Sequence, residues 1–459
     1  MDQRTRRKGA YGLFLLLAAV VAAPAQTFTK LVDFNGTNGA YPQYGALVQG
    51  TDGNIWGATL AGEPGLGTIF KITPGGSLTT VYSFTSPYGT YPYGGLTQAT
   101  DGNLYGTTMQ GGIDGGGTVF KITPEGTLTD LYSFDETTGA FNPNGLVQGA
   151  DGALYGTTVW GASDGTIFRI TLDGTLTTLY GWTDAIDPYP GAGLLQATDG
   201  NFYGTTMDGG MSTACAFGCG TIFRLTPAGT LTTMHSFSLT DGAFPQAGVI
   251  EGTDGNFYGT TAQGGASGDG TIFRITPSGT LTTLYAFSGN ACACVGLVQA
   301  TDGNFYGTTS AHSVSEGYGT IFKITPGGTL TTLHRLRSTD GIGPFQALVQ
   351  GTDGTFYGTT VQGGAYGQGT VFSLSAGLGP FVKALPHAGK VGSAVKILGT
   401  NLTSATSVWF GGTPAAFAVV SATEISTTVP PGATTGRVQV TTPGGTLSSG
   451  GPFLVFPLH

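Results

Sequence analysis

The sequence has very little charge. Lys, Arg, Asp and Glu together make up 9% of its 459 residues, against roughly 25% in an ordinary globular protein. Only 17 residues are basic and 26 are acidic. That balance leaves no basic patch for phosphates, so nucleic acid and anionic membranes are not expected as partners. Cysteine occurs four times and histidine five times, which leaves few groups for metal binding or for acid–base work near neutral pH. Helical spacing of apolar residues does not persist over 11 or more positions, so a helical bundle is excluded. One long apolar run exists, Leu13 to Ala23. It falls short of the roughly 20 residues of a membrane span.

That run follows Arg4, Arg6, Arg7 and Lys8 and precedes Ala23-Pro24-Ala25. A positive segment, an apolar segment and small residues at the cut describe a secretory signal peptide over residues 1–25, with cleavage after Ala25. General secretion is expected over the twin-arginine route, because Gly9 and Ala10 are weak residues after Arg6-Arg7. Cleavage leaves 13 basic and 25 acidic residues, a net charge of −12. The mature chain is expected outside the cytoplasm, secreted or on the cell surface, with the periplasm also open. A monomer without a membrane span and without a cofactor is expected. All four cysteines are exported, so Cys215, Cys219, Cys292 and Cys294 are disulfide candidates. Three pairings are open.

Glycine is abundant, at 82 positions. Disorder is excluded by 39% hydrophobic and 11% aromatic residues. The glycines recur at fixed places. Asp-Gly followed by an aromatic run begins at Asp52, Asp101, Asp151, Asp199, Asp254, Asp302 and Asp353, with spacings of 49, 50, 48, 55, 48 and 51. Around each marker four segments recur in order, exemplified by Gly145–Ala150, Asn201–Thr206, Gly319–Thr325 and Leu78–Phe84. Each is short, rich in Thr, Ile, Val, Tyr and Phe, and bounded by turn residues, which is the signature of a β-strand. Four strands in about 50 residues make a propeller blade.

The turns have two characters. Asp-Gly joins segments one and two, and Thr-Pro-x-Gly joins three and four. Both hardly vary. The other two connections vary widely, from Val159–Asp164 to Met207–Cys219. Alternate connections fall on opposite faces, so one face is uniform and the other loop-rich. Function is expected on the second. The seventh repeat ends at Ser375 without a fourth strand, and Phe28–Phe34 supplies one at the other end of the chain. The expected fold over residues 26–375 is therefore an all-β, seven-bladed β-propeller with four-stranded blades, its last blade closed by the N-terminal strand.

The motifs Asp-Gly-Asn-Phe-Tyr-Gly-Thr-Thr, Gly-Thr-Ile-Phe-(Lys/Arg)-Ile-Thr-Pro and Leu-Thr-Thr-Leu-Tyr-Ser-Phe resemble the GloVer tandem-repeat family, a bacterial exported β-propeller group. The likeness covers residues 28–375, with a departure at Ile55-Trp56-Gly57-Ala58. It implies no catalytic motif. After a linker at 376–380, residues 381–459 read as short strands of an immunoglobulin-like β-sandwich. Gly399-Thr-Asn-Leu402, Val408–Ala415, Thr428–Gly432 and Gly436–Gly445 resemble the IPT/TIG domain, which implies a spacer or adhesion module.

Candidate chemistry is sparse. The repeated aspartates lack the further carboxylates of a calcium loop, and turn formation explains them. Gly111-Gly112 lacks the Lys-Ser/Thr of a phosphate loop. His235 and His334 replace Tyr of other repeats and read as packing residues. His312, beside Ser310, Ser313, Ser315 and Glu316, is the one conceivable hydrolytic centre, and no third residue can be placed there. No catalytic residue and no metal site is assigned. Aromatic-Pro pairs such as Tyr41-Pro42, Tyr91-Pro92 and Tyr189-Pro190 recur between blades and read as blade-to-blade packing. Trp160, Phe217 and Tyr318 are not shared by all repeats and are the ligand-binding candidates. The function expected is non-enzymatic binding of a carbohydrate or protein ligand at the loop-rich face. The alternatives are an extracytoplasmic propeller lyase or hydrolase and an architectural surface component.

Overall fold

The computed structural model describes residues 26–43, 45–85, 89–135, 141–160, 165–182, 189–289, 291–292, 295–311 and 318–456, with the side chains of 141, 142, 160, 291 and 311 left aside. Residues 1–25, expected above to be a signal peptide, and Cys294 and His312 lie outside the described residues. The described chain is all-β apart from one short 3₁₀ turn, Leu402–Ser404. No helix among the described residues is long and apolar enough to cross a membrane.

Residues 27–375 form seven antiparallel sheets of blade-like, four-stranded plan. The fourth is typical: Leu195–Gln196, Phe202–Thr206, Thr221–Leu225 and Leu231–Ser236 pair in sequence order. The seventh sheet takes its outer strand from the start of the chain, Thr27–Asp33, which pairs with Thr370–Ser375. The second, third and sixth sheets gain a fifth short strand from the connection that precedes them, Thr90–Pro92, Phe141–Pro143 and Ala291–Cys292. The sequence shows no strand pattern in those connections.

Every turn between the first and second strands uses the carboxylate of its aspartate, which accepts from the backbone N–H two residues on and from a ring donor four residues on. In five sheets an Asn amide adds a third bond, which Ala153 and Thr355 cannot supply in the third and seventh. In the fifth sheet the Asp254 carboxylate accepts from the Asn256 backbone N–H at 3.2 Å, the Asn256 amide at 2.7 Å and the Tyr258 hydroxyl at 2.8 Å. Burial pushes the Asp254 carboxyl up, but the bonds from Asn256 and Tyr258 outweigh it and hold the carboxyl below its ordinary value. Burial, then Asp254, pushes the Tyr258 phenol up to about 12. In the first sheet Trp56 replaces the tyrosine and its indole N–H donates to Asp52 at 3.2 Å. The departure therefore keeps the donor.

Neighbouring sheets are fastened by a glutamine. Gln98 Oε1 accepts from Thr51 N at 2.8 Å, Gln148 Oε1 from Thr100 N at 3.0 Å and Gln299 Oε1 from Thr253 N at 2.8 Å. In the fifth sheet Glu251 takes the place of the glutamine and accepts from Thr198 N at 2.8 Å. Gln49 makes the same bond to Thr352 N at 2.9 Å, which ties the first sheet to the seventh. One buried apolar cluster crosses that same boundary, joining Phe34, Tyr357 and Val371 to Leu47, Ile55, Phe70 and Ile72. Bonds to a buried amide that has no water to fall back on are costly to lose.

Residues 383–456 form two further sheets that share one core of Val382, Val395, Ile397, Val408, Phe410, Ile425, Val438, Val440 and Phe453. They sit on the Asp-Gly turns. Phe381 N donates to Thr352 O at 2.9 Å, and Thr423 Oγ1 donates to Thr51 O at 2.8 Å. A Cβ at Gly53 would meet Thr423 at 2.7 Å, and one at Gly354 would meet the Leu378 backbone. The uniform face is therefore covered, while the loop-rich face is not covered by these sheets.

Candidate ligand-binding face

The loop-rich face is built from the ends of the second and third strands and from the connections between sheets. Two threonines near the end of the second strand organise it in six of the seven sheets; in the first, Ala58 replaces the first of them and Thr59 is kept. The second bonds across the hairpin, as Thr206 Oγ1 to Thr221 Oγ1 at 2.7 Å and Thr360 Oγ1 to Thr370 Oγ1 at 2.8 Å. The first reaches the next connection, as Thr107 Oγ1 to Pro143 O at 2.9 Å and Thr308 Oγ1 to Pro344 O at 3.0 Å. Both hydroxyls are thus used inside the scaffold.

The aromatic-Pro pairs belong to the same scaffold. Tyr41, Tyr91 and Phe244 have φ of 53°, 59° and 57°, a left-handed conformation that costs a non-glycine residue about 1–2 kcal/mol. The following proline lies on a glycine of the preceding sheet. A Cβ at Gly67 would come within 2.5 Å of Pro92, and one at Gly220 within 2.6 Å of Pro245. Gly67 and Gly220 also have φ of 100° and 94°, which any side chain would strain. Packing sheet against sheet thus accounts for these pairs.

Large apolar side chains are exposed on this face. Nine large hydrophobic side chains stand exposed among the described residues, and seven of them lie on this face: Ile113, Met211, Phe217, Tyr366, Leu239, Phe345 and Tyr41. Ile113 and Met211 are about 90% exposed, at 90% and 89%, and Phe217 and Tyr366 are both at 63%. The other two, Val419 and Val420, belong to the C-terminal sheets.

The three candidates occupy different hairpins. Trp160 ends the strand Leu154–Trp160, where its backbone pairs with Phe141. Phe217 projects from the loop between Phe202–Thr206 and Thr221–Leu225, between Cys215 and Cys219, which are joined by a disulfide. Cys219 is fully buried, so the bridge ties the exposed Phe217 to the core cluster of Ile222, Phe237 and Phe257. Tyr318 is half-buried and its carbonyl accepts from Gly343 N at 3.2 Å. Cys292 is disulfide-bonded. Ile113 and Met211 are not singled out by sequence, and Tyr366 stands out there only as one more aromatic of a hairpin loop. They sit at loop tips of different composition, and only the fold shows that their side chains stand exposed.

The two histidines described on this face are engaged. His235 Nε2 lies 3.0 Å from Asp241 Oδ2, and His334 Nε2 lies 3.2 Å from Asp340 Oδ2. Each aspartate also accepts from the backbone of its own turn, at Ser238 N and Arg337 N. His334 stacks on Phe28 of the closing strand at 4.0 Å. These pairs fasten connections, consistent with residues that replace tyrosine for packing. No group of three His, Cys, Asp or Glu residues placed to hold a metal ion occurs among the described residues.

Comparison with known proteins places the repeats. The family model for the Gloeobacter/Verrucomicrobia repeat matches residues 18–146, 137–295 and 292–413, and that for the IPT/TIG domain matches 381–455. No curated protein matches the chain by sequence. Among solved structures, similarity extends to one named as the extracellular domain of a hybrid two-component system from B. thetaiotaomicron, at 13% identity and TM-score 0.48, covering 94% of this chain and 55% of that one. The chain thus spans about half the length of that structure. A periplasmic gluconolactonase of Pseudomonas aeruginosa is 18% identical at TM-score 0.44, with 76% of this chain and 99% of that one covered. An auxiliary nutrient binding protein from Bacteroides thetaiotaomicron is 14% identical at TM-score 0.41, with 76% of each chain covered. With the repeat model matching far more than half of its length, the chain belongs to the Gloeobacter/Verrucomicrobia repeat family and carries a C-terminal IPT/TIG domain.

Proposed function

We propose that this is an exported, non-enzymatic binding or cell-surface protein whose loop-rich face takes a carbohydrate or protein ligand. In this reading residues 1–25 are a signal peptide and 26–375 a closed seven-bladed β-propeller. Residues 376–380 link it to an immunoglobulin-like β-sandwich over 381–459. The observation that carries the reading is the distribution of exposed apolar side chains, seven of nine on one face. Exposed large hydrophobics gathered on one side of a soluble protein mark contact surfaces. The opposite face is occupied by the C-terminal sheets, so the loop face is the one left to present. The disulfide at Cys215–Cys219 fits an oxidising compartment. Trp160, Phe217 and Tyr318 remain the proposed contact residues, joined by Ile113, Met211 and Tyr366.

The test is a glycan and peptide array, together with bacterial surface extracts, read with the mature protein and with a Phe217→Ala/Tyr366→Ala variant. Selective retention of the mature protein, lost in the variant, is expected. Retention of nothing by the mature protein, or equal retention of both, would sink the reading.

A further inference from the structure

The uniform face is covered but not filled. Between the inner strands of the sheets and the C-terminal sheets lies a cavity of about 770 Å³, within the range of small-molecule sites, about 300–1,000 Å³. Its floor is apolar, with Leu195, Ile250, Leu297 and Leu348 from the inner strands, and Phe453 closes it from the C-terminal side.

One cation stands in that wall. Lys383, at the start of the strand Lys383–Leu385, enters beneath the seventh sheet. Its ammonium donates to Gln350 O and lies 5.4 Å from the centre of the Phe381 ring. It has no ion pair with a carboxylate among the described residues. A carbonyl and a ring face are weak compensation for an ammonium removed from water. Burial pulls it down to about 8, with Asp353 the only charge acting against that. The other titratable groups on the wall do not supply an anion to it. Glu251 spends its carboxylate on the N–H and hydroxyl of Thr198. His387 is held towards its neutral form by burial, against a hydrogen bond with the backbone of Gln196.

We infer that the cavity between the blades and the C-terminal sheets is a second binding site, which takes a small molecule with an apolar body and one carboxylate, the carboxylate meeting Lys383. The apolar body replaces water against the leucines, and the carboxylate gives the buried ammonium the counter-charge the protein withholds. The site lies on the opposite face from the one proposed above and does not depend on it.

The probe is octanoate, titrated calorimetrically into the mature full chain, with 1-octanol as the uncharged analogue. One saturable site for octanoate is expected at neutral pH, weakening as pH rises above about 8, where Lys383 loses its proton. Removing the charge-assisted bond, in Lys383→Met or by using 1-octanol, should weaken binding by about 10- to 100-fold. Phe217→Ala should leave it unchanged. Absence of a saturable site, equal affinity for octanoate and 1-octanol, or loss in Phe217→Ala would each overturn the inference. If Lys383→Met fails to fold, the comparison of octanoate with 1-octanol in the unaltered protein decides alone.

Discussion

The two faces of the blade array use the same repeat in opposite ways. On the covered face the turns are Asp-Gly, and Thr-Pro-x-Gly or its near copy, each Asp-Gly aspartate binds its own turn, and the C-terminal sheets rest on the Asp-Gly turns. On the open face the threonines and prolines that repeat are consumed in holding sheet to sheet. What varies there is the loop tip, and the tips carry the exposed Ile113, Met211, Phe217 and Tyr366. Repetition in this protein marks structure, and its interruption marks the side chains left in solvent.

The largest expected effect comes from breaking closure, which both faces share. Deleting residues 27–34 removes the outer strand of the seventh sheet and Phe34 from the cluster that joins the seventh and first sheets. Thr370–Ser375 becomes a bare edge, a template for pairing with other chains. Aggregation, read as earlier elution than the full chain on size-exclusion chromatography, is expected. A truncated chain that elutes and melts like the full chain would show that the strand is dispensable. Next in size is a break confined to the covered face. Asp254→Ala strips the Asn256 bonds and takes the acceptor from the buried Tyr258 hydroxyl, at a cost of about 1–3 kcal/mol. Adding Tyr258→Phe should return part of that loss, because both partners are then gone. Chemical denaturation measures both, and a double variant no better than the single one contradicts the assignment of the tyrosine bond.

Most of the fold is legible in the sequence, because each strand, each Asp-Gly turn and each Thr-Pro-x-Gly turn is a local signal repeated many times. The shared glutamine is visible too, but not its purpose. Gln98 and Thr51 stand 47 residues apart, and only the stacking of successive sheets brings them together. The seating of the C-terminal domain is illegible for a related reason. It depends on single contacts such as Thr423 to Thr51 and Phe381 to Thr352, which no periodicity announces. The proposed contact face is half legible. Phe217 stands out as an aromatic outside the repeat pattern, whereas Ile113 and Met211 look like ordinary apolar residues until the loop is seen to leave them in solvent.

Two smaller effects separate the faces by pH. Asp130 stands where the first, third, fourth, fifth and sixth sheets have Thr80, Thr178, Thr233, Thr283 and Thr332, opposite a core Phe. Its Oδ1 has no partner among the described residues, and burial pushes its carboxyl up to about 6 from 3.8. A raised carboxyl weakens the fold as pH climbs from 3.8 through about 6, and the penalty is complete above that. Asp130→Thr should therefore stabilise by about 1 kcal/mol at neutral pH, allowing for partial solvent screening, and by nothing in strong acid. A pH-independent gain in denaturation midpoint would point to another cause. His387 works in the opposite sense. Burial holds it below its ordinary 6.5, so seating of the C-terminal sheets weakens as pH falls below that value. Faster proteolysis within residues 376–380 in acid is expected, and His387→Phe should abolish the dependence. Unchanged cleavage across that pH range would remove His387 from the junction's energetics.

The smallest effect on stability is expected where the effect on function should be greatest. Phe217 and Tyr366 are both 63% exposed, so truncating either removes little buried area. Surface changes away from buried networks stay within about 0.5 kcal/mol. Phe217 is nevertheless held firmly at its root, because Cys219 beside it is buried and bonded to Cys215. A rigidly mounted exposed aromatic loses little entropy on contact, and that makes it a better anchor than a loose one. Phe217→Ala should therefore leave the denaturation midpoint in place and lower ligand retention. Cys215→Ser/Cys219→Ser should lower retention as well, by freeing the aromatic while keeping it present. If the cysteine pair can be removed without loss of retention, the loop's rigidity has no part in recognition, and the contrast between a structural face and a contact face rests on the exposed side chains alone.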